Sequence, residues 1–399
     1  MCYMSQNRRG LPPGPFPLPI IGNMLAVDPS KPHISFRDMS IKYGNIFRLQ
    51  LGIQRVVVVN SGAMAREALL KRTTLFAGRP PSVAGALFSG GYKDIVFQTY
   101  NSIWKVQHRI AKNGIRKCEN KINSIEECIY REIKELMTRM DAQGAKSFDL
   151  RPDLFSAIVN CLSALVFGSR YDSHNLELQT LKNIIESFRR NLGAASFLDA
   201  FPLLAYLPFK TLREVKAGVQ IKQQFFNQKY SEHIKTFKPG RIRDLVDAMI
   251  AASHEDENKD TNGNPISDTR IILSIADTFI AGTETPTSGL LWIFSTLAQF
   301  PEVQRKLQQN LDKVVGRDRL PMMHDKPKLP YVEAVIAEVM RYVSFMPLAV
   351  PHYTIADVCL GGYVIPKDTV VYFNMWAVHH NPMDFTHPMK VGNVVMMTK

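Results

Sequence analysis

The chain has 399 residues, 45% of them hydrophobic, with a formal charge of +13 at pH 7. It can bury a large core, and with no Gly/Ser run, low-complexity tract or internal repeat it reads as one domain. No basic run is interleaved with aromatics as in a base-stacking surface, which excludes nucleic acid as the expected partner; the positive charge reads as a solvated Lys/Arg surface or as attraction to anionic lipid or an acidic protein.

Five scattered cysteines (Cys2, Cys118, Cys128, Cys161 and Cys359) show no CxxC spacing and read as reduced, cytosol-facing thiols rather than a disulfide framework. No segment reaches the roughly 18 uninterrupted apolar residues that span a bilayer. The polar, basic stretch from Met1 to Gly10 predicts neither a signal peptide nor an anchor.

In chain order, Leu11 to Pro19 is too rich in proline for a helix and reads as a stiff extended entry. A short helix is predicted over Ile34 to Tyr43. Two runs, Ile46 to Leu51 and Arg55 to Val59, flank Gly52 and predict a β-hairpin, and Ser61 caps a helix through Lys71. Helical periodicity then marks Ser102–Ile115, Ile122–Met140, Arg151–Phe167, Leu176–Asn191, Leu212–Phe237 and Ile242–Ala252. The apolar stretch from Phe197 to Phe209, broken by two prolines, is too short to cross a bilayer; it dips into one leaflet or is a core-packed connection. His254 to Asn264 reads as a surface loop. The longest helix is predicted from Ser267 or Asp268 to Gln299, on the order of 48 Å, and Pro301 opens the next. After Met346 short strands are predicted at His352–Val358, Tyr363–Ile365 and Thr369–Phe373. The fold class is mainly α with a minor β element.

Three constellations stand out. In the long helix, Ala281 and Gly282 leave a bare patch of backbone, and Glu284 and Thr285 place an acid beside an alcohol in an apolar stretch. Pro286 removes the amide that would pair with the Gly282 carbonyl; a back-bonded threonine at a proline kink is the plain structural reading. Next, Glu338 and Arg341 are an i, i+3 pair that falls off the apolar stripe of Val332, Val335, Ile336, Val339 and Val343, so phase alone predicts an exposed ion pair. Last, Arg79, Trp104, His108, Arg109 and His352 are hydrogen-bond donors that read unaided as surface or capping residues.

Ala281-Gly282-Thr283-Glu284-Thr285, Glu338-Val339-Met340-Arg341, Pro351-His352 and Phe373-Asn374-Met375-Trp376, in that order, resemble the cytochrome P450 family of haem-thiolate monooxygenases. The resemblance covers roughly residues 11 to 388. Leu329-Pro330-Tyr331, Pro351-His352 and Gly362-Tyr363-Val364-Ile365-Pro366-Lys367 look like the animal microsomal enzymes that oxidise steroids and polycyclic aromatic compounds. It implies haem b as cofactor, with Glu284 and Thr285 delivering protons to iron-bound dioxygen beside Ala281 and Gly282. Arg79, Trp104, His352 and, where the family has arginine, His108 with Arg109 following, would grip the haem carboxylates. Glu338 and Arg341 become a buried structural pair, completed in the family by a further arginine. Electrons would come from NADPH through an acidic reductase docked on the basic surface. The substrate would be small and apolar, the location the cytosolic face of the endoplasmic reticulum membrane, and residues 197–209 a membrane-dipping loop.

The family's Phe-x-x-Gly-x-Arg-x-Cys-x-Gly loop, which supplies the iron's cysteine, is not found, so no metal ligand is assigned. The expected organisation is a polar tail (1–10), a proline-rich hinge (11–19), an incomplete cytochrome P450 domain (20–388) and a tail without family pattern (389–399). An altered frame or alternative exon would give such an ending. Oxidation is expected to be impaired in this chain; the alternative is a non-catalytic chain that binds an apolar ligand, membrane or reductase.

Overall fold

The computed structural model describes residues 10–119, 122–172, 174–194, 196–259 and 263–391. The proline-rich entry forms no helix and lies along the sheet, where the Arg48 amide donates to the Pro13 carbonyl at 2.8 Å. After helix α1 (Pro32–Tyr43) comes the expected hairpin of β1 (Ile46–Leu51) and β2 (Gln54–Val59). Its register pairs Ile46 with Val59 and Leu51 with Gln54, and the turn uses Gly52 at φ +57°. Ser61 caps α2 (Gly62–Arg66) by accepting the Met64 amide, and a π-turn carries the chain to Lys71. The short helix α3 (Val83–Phe88) was not expected from periodicity.

The helical body consists of α4 (Ser102–Glu119), α5 (Ile122–Gln143), α6 (Arg151–Phe167), α7 (Leu176–Ala194), α8 (Ser196–Ala200), α9 (Lys210–Thr236), α10 (Leu245–Ser253), α11 (Asp268–Gln299), α12 (Pro301–Val314) and α13 (Pro330–Val343). Helix α10 starts later than periodicity predicts because Asp244 takes the cap, its Oδ1 accepting the Asp247 amide at 3.0 Å. Then follow β3 (His352–Tyr353), β4 (Val358–Leu360), β5 (Tyr363–Ile365), β6 (Val370–Phe373) and α14 (Met375–His379). The single strand predicted from His352 to Val358 is interrupted. Buried Thr354 turns the chain there, donating to the Pro366 carbonyl at 2.7 Å and accepting the Thr369 amide at 3.0 Å.

One sheet has the order β1-β2-β6-β3, with β6 parallel to β2 and antiparallel to β3; β4 and β5 form a separate hairpin. The largest core cluster joins α4, α6, α7, α9, α10 and α11. Phe167 stands at its centre, 5.4 Å from the ring of fully buried Phe279 and 6.1 Å from that of Phe226.

Among the described residues no helix is long and apolar enough to cross a membrane. The apolar segment of residues 197–209 is partly packed into the core and partly exposed. Leu198 is fully buried between α3 and α9, and Asp199 accepts the Val83 amide at 2.7 Å, while Leu203 and Tyr206 stand 82% and 88% exposed.

Candidate functional site

Helix α11 runs unbroken through Pro286, and its hydroxyls bond back along it: Thr283 to the Phe279 carbonyl, Thr285 to that of Ala281 and Thr287 to that of Thr283, at 2.7–2.8 Å. Ala281 and Thr285, one turn apart on the same face, are exposed. Glu284 lies about 100° around the helix from Thr285 and turns to α6 instead. It accepts from Arg151 Nη2 at 2.7 Å and from Ser288 Oγ at 3.2 Å. Acid and alcohol are therefore sequence neighbours with different partners.

Gly282 departs from expectation. A Cβ built there meets the Leu162 side chain of α6 at 3.3–3.4 Å. Its Cβ side faces Leu162 of α6, while Ala281 stays exposed.

Arg79 and Trp104, two of the expected carboxylate-gripping residues, are drawn together by one backbone segment. Arg79 Nε donates to the Val96 carbonyl at 3.1 Å, and the indole nitrogen of Trp104 to the Ile95 carbonyl at 2.9 Å. On the opposite side of those peptides, the Ile95 and Val96 amides donate to Asp277 Oδ2 at 2.9 and 3.3 Å. Asp277 sits one turn before Ala281 on α11, so residues 95–96 tie Arg79 and Trp104 to the long helix. This acid was missed, although an aspartate in the apolar run Ser274-Ile275-Ala276-Asp277-Thr278-Phe279 is a legible signal. It keeps some accessible surface but lies deep in the protein. Burial and the nearby charge of Asp94 push its carboxyl up to about 8; burial pushes that of Asp94 up to about 6. Buried Lys222 completes this cluster and donates to the Phe88 carbonyl at 2.5 Å.

His352 joins Arg79. Its Nδ1 lies 2.7 Å from the Phe76 carbonyl and 3.4 Å from Arg79 Nη1. A carbonyl accepts only, so Nδ1 carries the proton and its approach to the guanidinium is a contact between two donors. Burial and then the Arg79 charge hold the imidazole below its ordinary pKa. Arg79 Nη2 has no hydrogen-bond partner among the described residues, so this half-buried guanidinium keeps a donor open. His108 stacks on Trp104 at 4.7 Å between ring centres. Arg109 is drawn elsewhere, its Nη2 donating to the Glu257 carbonyl at 2.6 Å.

Glu338 and Arg341 overturn the reading by helical phase. They are 0% and 3% exposed and joined by two hydrogen bonds of 2.8 and 2.9 Å. The chain after α14 wraps over that side of α13. Arg341 donates to the carbonyls of His379, Pro388 and Lys390 at 2.8–3.1 Å and packs its cation over Phe385. Those carbonyls give the Arg341 guanidinium acceptors beyond the Glu338 carboxylate.

A third cluster, His233, Asp244 and Asp247, brings donor atoms within 4.8 Å of one another. Its members are already engaged: His233 Nε2 with Asp244 at 2.9 Å, its Nδ1 with the Lys229 carbonyl at 2.7 Å, and Asp247 with Arg243. It is a joint between α9 and α10. The described cysteines all lie inside elements, Cys118 in α4, Cys128 in α5, Cys161 in α6 and Cys359 in β4.

A mainly helical body on a small mixed sheet, with an acid–alcohol step in its longest helix and a buried Glu–Arg pair beyond it, defines a class that comparison with known proteins names. The family described as Cytochrome P450 matches residues 12–391. The chain is 38% identical to Cytochrome P450 1A1 of Chelon auratus over 94% of its own length and 74% of the relative's. It is 35% identical to Steroid 17-alpha-hydroxylase/17,20 lyase of Ictalurus punctatus over the same shares. A solved structure of a zebra fish cytochrome P450 with progesterone superposes with a TM-score of 0.82 at 32% identity, covering 92% of this chain and 84% of that one. The chain belongs to the cytochrome P450 family, whose members are haem-dependent monooxygenases.

Proposed function

We propose that this chain serves haem-dependent insertion of one oxygen atom from dioxygen into a small apolar substrate, steroid-like or polycyclic aromatic. The observation that supports the reading is the 95–96 bridge, which ties Arg79 and Trp104 to Asp277, one turn before the exposed Ala281 on α11. The printed names of the relatives, a steroid hydroxylase among them, and a neighbour solved with progesterone support the substrate class.

The cationic end fits a haem b. Arg79 would meet a carboxylate with its open Nη2, and His352 would do so through Nε2 on taking up a proton; Trp104 and His108 would form the adjoining wall. When bound, the haem supplies dioxygen activation at its iron. Thr285 donates its hydroxyl proton to the Ala281 carbonyl, and Glu284, the preceding residue, accepts from Arg151. We read both as proton-delivering groups, Thr285 on the exposed face of α11 and Glu284 on the side turned to α6. Glu338 and Arg341 fix the turn after α14 and hold the fold beneath the site.

The basic balance of +13 suits docking of an acidic reductase that passes electrons from NADPH. The exposed Leu203 and Tyr206 suit shallow insertion into the cytosolic leaflet of the endoplasmic reticulum. The described cysteines lie in α4, α5, α6 and β4, and none is assigned as an iron ligand; the second reading is a family fold that holds an apolar ligand without turnover.

The test is the ferrous–carbon monoxide absorption spectrum of the expressed chain supplied with haem. Retained haem, weakened about tenfold by Arg79→Ala (one charge-assisted hydrogen bond), supports the site. A band of histidine type supports the impaired reading, and a red-shifted thiolate band sinks it. Failure to retain haem at all favours the non-catalytic chain.

A further inference from the structure

Arg270, Ser274 and Asp277 lie at i, i+4 and i+7 on α11 and so share one face, which is turned to residues 93–98. Asp277 takes the amides of Ile95 and Val96; the two ends of the segment are held by a second pair of residues. Gln107, on α4 three residues after Trp104, is 0% exposed. Its Nε2 donates to the Lys93 carbonyl at 3.0 Å, the Arg270 carbonyl at 3.1 Å and Ser274 Oγ at 2.9 Å. Its Oε1 accepts from Arg270 Nη1 at 3.0 Å. That same arginine nitrogen donates to Gln98 Oε1 at 2.6 Å and to the Lys93 carbonyl at 3.3 Å. Gln107 and Arg270 thus grasp residue 93 before the 95–96 peptides and residue 98 after them.

The partners fix the way the Gln107 amide faces. A guanidinium only donates, so Oε1 meets Nη1; the two carbonyls only accept, so Nε2 meets them. Glutamate would keep the contact with Arg270 and lose both donor protons, and methionine would lose every bond. Gln98, itself buried, passes the constraint on. Its Nε2 donates to Asn101 Oδ1 at 3.0 Å, and that oxygen accepts the Trp104 amide at 2.8 Å in the first turn of α4. Trp104 is therefore fixed twice, by its indole on the Ile95 carbonyl and by its backbone through Gln98 and Asn101. Arg79 rests on the Val96 carbonyl.

We propose that Gln107 and Arg270 are positioning residues for the haem-carboxylate grip: by clamping both ends of residues 93–98 they set the carbonyls on which Trp104 and Arg79 rest. The proposal rests on the reading of Arg79 and Trp104 as carboxylate-gripping residues. Gln107 and Arg270 act through that pair. A satisfied buried network is rigid, and a donor held on a rigid support loses little freedom when it meets its carboxylate.

The experiment titrates the folded full chain with haem, read by the Soret band, as wild type, Gln107→Met, Arg79→Ala and the double variant. Far-ultraviolet circular dichroism confirms each fold, and Gln107→Glu carries the same cycle if the methionine variant does not fold. Gln107→Met should weaken haem binding about fivefold, but less than about twofold in the Arg79→Ala background, because it acts through that guanidinium. Arg270→Leu should behave like Gln107→Met, and Arg270→Lys, which keeps a charged donor, should lose less. Without haem, the Ile95 and Val96 amides should exchange hydrogen about tenfold faster in Gln107→Met, while those of α13 stay unchanged. Equal losses in both backgrounds, or unchanged exchange at residues 95 and 96, overturn this proposal alone. A wild-type chain that takes up no haem, or an Arg79→Ala variant that binds it as the wild type does, overturns the grip itself, and the proposal falls with it.

Discussion

Replacing Arg341 by methionine keeps much of the side-chain volume and removes one charge from a site with almost no solvent. Glu338, at 0% exposure, then loses the guanidinium that now gives it two hydrogen bonds. The carbonyls of His379, Pro388 and Lys390 lose a donor at the same time. Removing one member of a buried ion pair costs roughly 3–5 kcal/mol, most of it the penalty of the charge left behind. Glu338→Gln combined with Arg341→Met removes both charges, so the double variant should cost less than the sum of its singles, with a coupling of about 2 kcal/mol or more. Urea unfolding followed by circular dichroism reads each value, with an unchanged slope marking a true stability change. Limited proteolysis should also open the 379–390 segment in the Arg341 variant first, since three of its carbonyls are anchored by that side chain. A loss below about 1 kcal/mol for Arg341→Met, with coupling near zero, would refute the reasoning and return the pair to the exposed class suggested by helical phase.

Gly282→Val places branched carbons where a lone Cβ already meets Leu162 at 3.3–3.4 Å, so overpacking of about 1–3 kcal/mol is expected, and Leu162→Ala should relieve part of it. Equal losses with and without Leu162, measured by thermal unfolding, would place the strain elsewhere. His233 supplies a pH dependence. Burial lowers its pKa, but the hydrogen bond to Asp244, the charge of Asp244 and the Lys229 carbonyl outweigh it and leave it above the ordinary 6.5. The folded state thus holds this proton longer than the unfolded state. The stabilisation is complete below about pH 6.5 and is lost as pH rises through the higher folded value. Unfolding free energy should fall over that window in the native chain, and the His233→Gln variant should lack this part of the slope; a slope that survives the substitution belongs to another group.

The elements were legible because each helix writes its inward face as a period of about 3.6 residues, and α6 and α11 match their sequence limits for that reason. Boundaries set by a side chain were harder to read: Asp244 moves the start of α10, and Thr354 breaks a strand whose β-branched composition looked continuous. The site was legible residue by residue and illegible as an assembly. Arg79 and Trp104 meet at the carbonyls of Val96 and Ile95, and Asp277 takes the amides of the same two residues. Backbone groups are common to every residue type, so no sequence pattern announces that junction. Glu338 and Arg341 show the limit of periodicity most clearly. The apolar stripe of α13 reports the side that packs on Val303 and Val391, and says nothing of a second side covered by residues 379–390. A helix covered twice can bury charges off its stripe, provided that they neutralise one another and that every remaining donor finds a carbonyl. Arg341 meets both conditions, and so the pair that phase alone assigns to solvent is the one the fold closes over.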